Sequence, residues 1–292
     1  MSGALDAVRA RLGHYWRLIR ADRPIGIYLL LWPALWALWI AGAGRPDAWV
    51  VLIFVLGTAL MRSAGCAIND YADRHYDGHV ARTCGRPLAA GVIAPPEAVG
   101  VFVVLSLMAF GLVLTLNVLT IANAFVAVAL AALYPFTKRY THMPQVFLGA
   151  AFGWAVPMAF TALQDGIPGV AWVLFVATVV WALIYDTMYA MTDREEDLKV
   201  GIKSSAILFG RFDRLIIAAL QLVMLALLWW VGELAGRGLY YQGGLVVAAL
   251  LFGYQQWLIR HREPAACFRA FLNNHYLGMW LFIALLLDYL AR

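Results

Sequence analysis

Charge is what this sequence has least of: Asp, Glu, Lys and Arg make up 13% of its 292 residues, while 63% are hydrophobic. Soluble globular chains carry about a quarter charged residues, so a water-facing globule is excluded. Cysteine is scarce as well. Cys66, Cys84 and Cys267 share no metal-ligand spacing, which excludes a zinc cluster or a disulfide framework and leaves isolated thiols. No cleavable leader is expected, because the first apolar run follows a 24-residue head and is itself the first of many. The net charge of +5 is explained by where the cations fall, so no nucleic-acid partner is expected.

What is abundant is apolar sequence in runs long enough to span a bilayer. Nine segments read as transmembrane helices: about 25–43, 48–68, 96–116, 118–136, 144–163, 168–190, 213–232, 239–260 and 270–290. The third and fourth are fused. As one helix they would reach about 60 Å, twice a bilayer core, so a turn near Asn117 must divide them. Alternating the ends puts 18 of the 22 Lys and Arg residues on one side, with Arg45, Arg237 and Arg292 on the other and Arg62 inside the second span. Positive charge is retained in the cytoplasm, so the N-terminus is expected there and the C-terminus outside. Residues 1–23 read as an interfacial helix lying on membrane lipid: Leu5, Val8, Leu12, Trp16 and Ile19 share one face and arginines the other. Arg23 then stands at the cytoplasmic mouth. The chain reads as one all-α integral membrane domain over 1–292, a bundle around a central cavity open to the cytoplasmic face.

Acidic residues number 17, and eight of them lie in two short runs. The first, Asn69–Gly78, follows the second span and carries Asp70, Asp73 and Asp77 at steps of three and four, which on a helix is one face. Crowded carboxylates at a membrane surface repel one another and call for a cation. The second run follows the sixth span and carries Asp186, Asp193 and Asp197 at steps of seven and four, with Glu195 and Glu196 directed elsewhere. Four spans intervene, an even number, so both faces return to the cytoplasmic side and can oppose each other across one cavity. Segments 69–92 and 186–212 are therefore the expected active-site segments.

Oxygen-only donors favour a hard cation, and Mg²⁺ is the usual one where carboxylates meet phosphates. A calcium site uses similar ligands but does not require the surrounding surplus of cations: Arg82, Arg86, Lys138, Arg139, Lys199 and Lys203. Together they describe a diphosphate clamp whose charge assists ionisation of a leaving group. A diphosphate whose other end enters the bilayer is a polyprenyl diphosphate. Arg62 lies eight residues before Asp70, about two turns deeper, and must face the interior or a polar cavity. His261, Asn273, Asn274 and His275 near the last loop read mainly as helix-end residues.

The stretch N-D-Y-A-D-R-H-Y-D resembles the NDxxDxxxD signature of the UbiA superfamily of intramembrane prenyltransferases, and D-R-E-E-D resembles its second, DxxxD. The flanks A-D-R-P-I-G, M-R-S-A-G-C-A-I-N-D, Y-P-F-T-K-R-Y-T-H-M-P-Q and L-K-V-G-I-K-S-S-A resemble the branch that acts on 4-hydroxybenzoate; they cover residues 22–210, and the last third agrees chiefly in hydropathy. The resemblance implies a nine-helix bundle in a bacterial inner membrane, with Asn69, Asp70, Asp73, Asp77, Asp193 and Asp197 holding Mg²⁺ and diphosphate. Tyr134 and Lys138 match a YxxxK element beside the diphosphate. It implies transfer of a polyprenyl group to the carbon ortho to the hydroxyl of 4-hydroxybenzoate, with Asp186 as a candidate ring-proton acceptor, in ubiquinone synthesis. Arg23 and Arg62 are candidates for the acceptor's carboxylate. Two alternatives stay open. One is a sibling acting on another aromatic acceptor; the other is a cation-coupled transporter, which would carry its acids near mid-membrane rather than at one face.

Overall fold

The computed structural model describes residues 2–75, 77–79 and 83–291, excepting the side chains of Ser2, Gly3, Ala4, Ala7, Val8, His79, Lys138 and Val200. Among the described residues all regular structure is helical: α1 (Ser2–Leu18), α2 (Ile25–Ala41), α3 (Ala48–Asp73), α4 (Pro95–Val113), α5 (Val118–Tyr140), α6 (Pro144–Gly153), α7 (Ala155–Gln164), α8 (Gly169–Val200), α9 (Ser205–Phe209), α10 (Asp213–Leu234), α11 (Leu239–Leu258) and α12 (Pro264–Leu290). Seven runs are long and apolar enough to cross a membrane: α3, α4, α5, α6 with α7, α8, α9 with α10, and α12. The α2 helix is apolar but shorter, and α11 is not among the seven. The outward faces carry exposed Leu107, Phe125, Leu222, Val246 and Leu250, a surface that only lipid solvates well. The chain is an integral membrane protein.

Local chemistry sets the boundaries. Asp47 caps α3, its carboxylate accepting from the backbone N–H groups of Trp49 and Val50. Asn117 divides α4 from α5 where a turn was required: its Oδ1 accepts from Thr120 N and its Nδ2 donates to Thr161 O. Pro95, Pro144 and Pro264 open their helices, where a missing N–H costs nothing. Pro157 lacks the N–H that would bond the carbonyl of Gly153, and the fifth span breaks between α6 and α7 at Trp154.

Two boundaries differ from expectation, and both matter to the site. The α3 helix runs five residues past the expected end of its span, to Asp73, and α8 runs ten past, to Val200, so Asp70, Asp73, Asp193 and Asp197 all stand on rigid helix. Asp77 does not join them on a helical face: it opens a separate short turn, Asp77–His79, and its carboxylate is drawn back 2.8 Å from Arg86 Nη1. The three-aspartate stripe is thus two aspartates on a helix and a third returned by a loop.

The core holds α8 at its centre. Trp181 is fully buried, packs on Trp36 with ring centroids 5.2 Å apart and donates from Nε1 to Asn274 Oδ1 at 2.9 Å. The α6 helix approaches α8 through Gly149 and Gly153: a Cβ at Gly149 would stand 3.0 Å from Val179 and Ala182. An amide ladder, Gln256–Gln221–Gln255–Asn273, joins α10, α11 and α12. Asp213, fully buried, gathers Arg194 of α8 at 3.1 Å and Arg262 before α12 at 2.7 Å, which ties the second acidic run to the rest of the bundle.

Candidate active site

Between α2, α3, α5, α8 and the α6–α7 pair lies a cavity of about 610 Å³. Its polar end holds Arg20, Asn69, Asp70, Arg86 and Asp186, and its deep end is apolar, walled by Phe54, Phe110, Val113 and Met158. From Asp70 to Ile53 the wall follows 17 residues of α3, which at ~1.5 Å each is about 25 Å, most of a bilayer core. Small residues make the room: Gly57 and Gly65 on α3, and Ala124, Ala127 and Ala131 on α5.

At the polar end Asp70 is the most enclosed carboxylate, with 1% of its side chain exposed. Arg20 Nη2 donates to both its oxygens, at 2.7 and 3.1 Å, and Arg86 Nη1 stands 3.3 Å from the same group. Arg86 also bonds Asp77 at 2.8 Å. Burial works against charge on Arg86, but Asp70 and Asp77 outweigh it and hold its pKa above the ordinary value. Burial likewise pushes the Asp77 carboxyl above the usual range, against the pull of Arg86. Asn69 Nδ2 donates to Asp73 Oδ2 at 3.2 Å, and the Thr83 hydroxyl donates to the Asp77 carbonyl at 2.8 Å.

Of the second run, Asp186 lines the cavity from α8, together with Tyr185 and Tyr189. Tyr134 joins them from α5. Asp193 is buried and Asp197 half-buried, about 10 and 16 Å beyond Asp186 along the helix at ~1.5 Å per residue, and neither lines the cavity wall. Asp73 and Asp77 also lie off that wall. Three expected cations are elsewhere: Arg139 Nη2 donates to the Ala72 carbonyl at 2.8 Å, Lys203 reaches the Tyr140 carbonyl at 3.3 Å, and Lys199 is exposed. Arg139 thus satisfies a carbonyl at the end of α3, the kind of group a helix C-terminus leaves open. Arg82 and the Lys138 side chain lie outside the described residues.

Arg62 faces the cavity two turns below Asp70, its Nη1 against Cys66 Sγ and its Nε buried without a hydrogen-bond partner. Arg23 reaches the same cavity at its rim but is 73% exposed, with Asp22 3.6 Å away. His261, Asn273, Asn274 and His275 do not line the cavity; the asparagines belong to the interior amide contacts, and His275 accepts from Trp32 Nε1 at 3.2 Å.

Among the described residues no three His, Cys, Asp or Glu side chains converge into a ready-made cation cage. A site that shares its cation with a substrate phosphate needs only one or two carboxylates, the usual pattern for Mg²⁺. The all-oxygen donors fit such a cation, and two guanidinium groups beside Asp70 already stand where positive charge is wanted. Sequence reasoning missed Arg20, Tyr185, Tyr189, Phe268 and Phe271. Arg20 is hidden among five arginines whose number the cytoplasmic charge bias explains, and the aromatics carry no signal in a chain with 14% aromatic residues.

A model of the UbiA prenyltransferase family matches residues 30–286. The chain is 61% identical over 284 residues to a 4-hydroxybenzoate octaprenyltransferase of Methylococcus capsulatus, covering 97% of each, and 59% identical over 288 residues to one of Alkalilimnicola ehrlichii, covering 99% of this chain and 98% of the relative. Its fold is similar to that of a UbiA homolog from Aeropyrum pernix, with TM-score 0.80 and 22% identity over 90% of this chain and 97% of that one. It is similar too to a UbiA homolog from Archaeoglobus fulgidus bound to GPP and Mg²⁺, with TM-score 0.72 and 18% identity over 96% and 100%.

Proposed function

The chain belongs to the UbiA prenyltransferase family, and on that footing we propose that it transfers a polyprenyl group from polyprenyl diphosphate to the carbon ortho to the hydroxyl of 4-hydroxybenzoate, in ubiquinone biosynthesis. The relatives' names specify an octaprenyl donor, and we carry that length over. The observation that carries the reading is the cavity's polarity: an ionic end built on Asp70, Arg20 and Arg86 and an apolar deep end, together about 25 Å from Asp70 to Ile53, suit one molecule with a diphosphate head and a hydrocarbon tail.

Asn69, Asp70, Asp73 and Asp77, with Asp193 and Asp197, are proposed to hold Mg²⁺ and diphosphate, assisted by Arg86, Arg82 and Lys138. Mg²⁺ held by these residues would supply positive charge against the departing diphosphate. Arg86 shares that task, since it is charged at every working pH and already bonds two of the carboxylates. The allylic C–O bond breaks with its electron pair leaving on diphosphate. The remaining carbocation lies against Tyr185, Tyr189 and Phe271, whose ring faces stabilise positive charge and whose bulk excludes water. The ring carbon of the acceptor supplies the electron pair for the new C–C bond, and the proton it loses passes to Asp186, which faces the cavity. Arg62 is assigned the acceptor's carboxylate: a guanidinium at that depth with a free Nε has donors to offer it.

For the membrane arrangement we propose nine crossings, with α2 and α11 joining the seven long runs, the N-terminus and the ionic end of the cavity cytoplasmic and the C-terminus outside. The 18-to-3 division of Lys and Arg supports it. So does α1, whose Leu5, Leu12 and Trp16 are exposed while Arg11 and Tyr15 hold Glu97 of α4, an arrangement suited to the lipid interface. The domain is the whole chain, 1–292.

The test is an acceptor competition in membranes containing the protein, Mg²⁺ and octaprenyl diphosphate. 4-Hydroxybenzoate should be consumed in preference to homogentisate or dihydroxynaphthoate. The opposite preference moves the chain to a sibling acceptor class.

A further inference from the structure

Arg20 occupies an unusual backbone position for its residue type. It follows α1 with φ at +57°, a left-handed conformation that suits glycine or asparagine and strains a long side chain. Two contacts offset the strain. Nη1 donates to the Arg17 carbonyl at 2.9 Å, closing the end of α1, and Nη2 forks the Asp70 carboxylate at 2.7 and 3.1 Å. With 22% of its side chain exposed, Arg20 is largely enclosed, whereas its neighbour Arg23 stands out in solvent. Arg20 is therefore a cation held on the carboxylate most central to the ionic end of the cavity.

A guanidinium and a divalent cation use the same carboxylate lone pairs, so they compete for Asp70. A guanidinium also forks phosphate as readily as carboxylate. We propose that Arg20 is a diphosphate-binding residue with two partners: it holds Asp70 while the site is empty of substrate, and its guanidinium passes to a diphosphate oxygen when Asp70 is claimed by the metal. No bond is made or broken in this exchange and the total charge at the mouth is conserved. Arg86, which bridges Asp70 and Asp77, keeps the loop in place while Arg20 changes partner. The inference rests on the prenyl-transfer reading and extends it to a residue of the N-terminal segment.

The exchange predicts that one substitution moves two ligands in opposite directions. Arg20→Asn removes the charge and keeps a residue that tolerates the left-handed backbone. In the full chain in detergent, Mn²⁺ binding without diphosphate, followed by electron paramagnetic resonance, should tighten about three- to tenfold, because the competing cation is gone. The KM for the prenyl diphosphate with Mg²⁺ should rise about tenfold or more, and Arg20→Lys should recover part of it. Damage to the fold weakens both ligands together, so parallel weakening, or no change in Mn²⁺ binding, overturns the proposal. Arg20→Gly, which removes the strain as well as the charge, should show the same divergence. The Mn²⁺ titration reads the Arg20–Asp70 competition whichever acceptor is prenylated, so a failed acceptor assay and a failed exchange are told apart.

Discussion

The Arg62 guanidinium lies flat on the α-carbon of Gly26: a Cβ built there would overlap Nε and come within 2.6 Å of Nη2. The A-D-R-P-I-G stretch and the second span thus meet at one point, and the missing side chain of Gly26 is the space in which Arg62 rests. Gly26→Ala should push the guanidinium off its seat while leaving every charge in place. If Arg62 serves the acceptor, the KM for 4-hydroxybenzoate should rise about 10- to 100-fold, the worth of a charge-assisted hydrogen bond. The KM for polyprenyl diphosphate should stay within about twofold. Equal rises in both would mean that the cavity as a whole has shifted.

Asp70 is the carboxylate on which Arg20 and Arg86 converge, so its loss should be felt at the diphosphate. Asp70→Asn keeps the volume and removes the charge, and turnover should fall about 10²- to 10³-fold, the scale of one preorganised electrostatic group. Chelation of divalent cations should silence the wild-type protein to a similar degree. Near-normal turnover in Asp70→Asn, with the protein shown folded by its elution profile, would remove Asp70 from the clamp.

Much of this was legible in the sequence, for physical reasons. Seven of the nine expected spans follow from hydropathy and bilayer thickness, and the turn at Asn117 from length alone. Cys66 and Cys267 are buried. Asp70 and Asp186 face one cavity because an even number of spans separates them. Other features were hidden. Periodicity extends a helix until something stops it, so it could not show that Asp77 leaves the helical face for Arg86. Nor can composition tell an arginine exposed at the cavity rim from one that reaches a buried carboxylate, and Arg23 and Arg20, three residues apart, are one of each. Arg139, Lys199 and Lys203 do not line the cavity, and Arg139 and Lys203 each reach a backbone carbonyl.

Asn274 is fully buried in α12, accepting from Trp181 Nε1 and donating to the carbonyls of Ala270 and Phe271. It lies off the cavity wall, so its work is in the core. Asn274→Ala leaves the indole N–H of a fully buried tryptophan without its partner. The cost should be about 1–2 kcal/mol, at the upper end of interhelical polar contacts in membranes. A fall in the thermal midpoint in detergent should accompany unchanged kcat and KM per folded molecule. A selective change in KM would show instead that α12 transmits to the cavity through Phe271.

Asp213 holds the second acidic run in register from outside it. Its side chain is 0% exposed and receives Arg194, which sits between Asp193 and Glu195 on α8, and Arg262, whose backbone is left-handed at φ +58°. Removing the carboxylate strands two guanidinium groups, which in a fully buried setting costs about 3–5 kcal/mol. Here the arginines keep 24% and 38% exposure, and water screens them, so Asp213→Asn should cost about 2–3 kcal/mol. Replacing Asp213 with Leu and Arg262 with Met together leaves one stranded cation in place of two and should recover part of the loss. The double-mutant cycle, read as thermal midpoints, measures the coupling. If α8 relaxes when Arg194 is released, Asp193 and Asp197 move with it, and Asp213→Asn should also raise the Mg²⁺ concentration needed for half-maximal turnover. A stability loss with an unchanged Mg²⁺ requirement would confine Asp213 to the fold and leave the second run anchored by its own contacts.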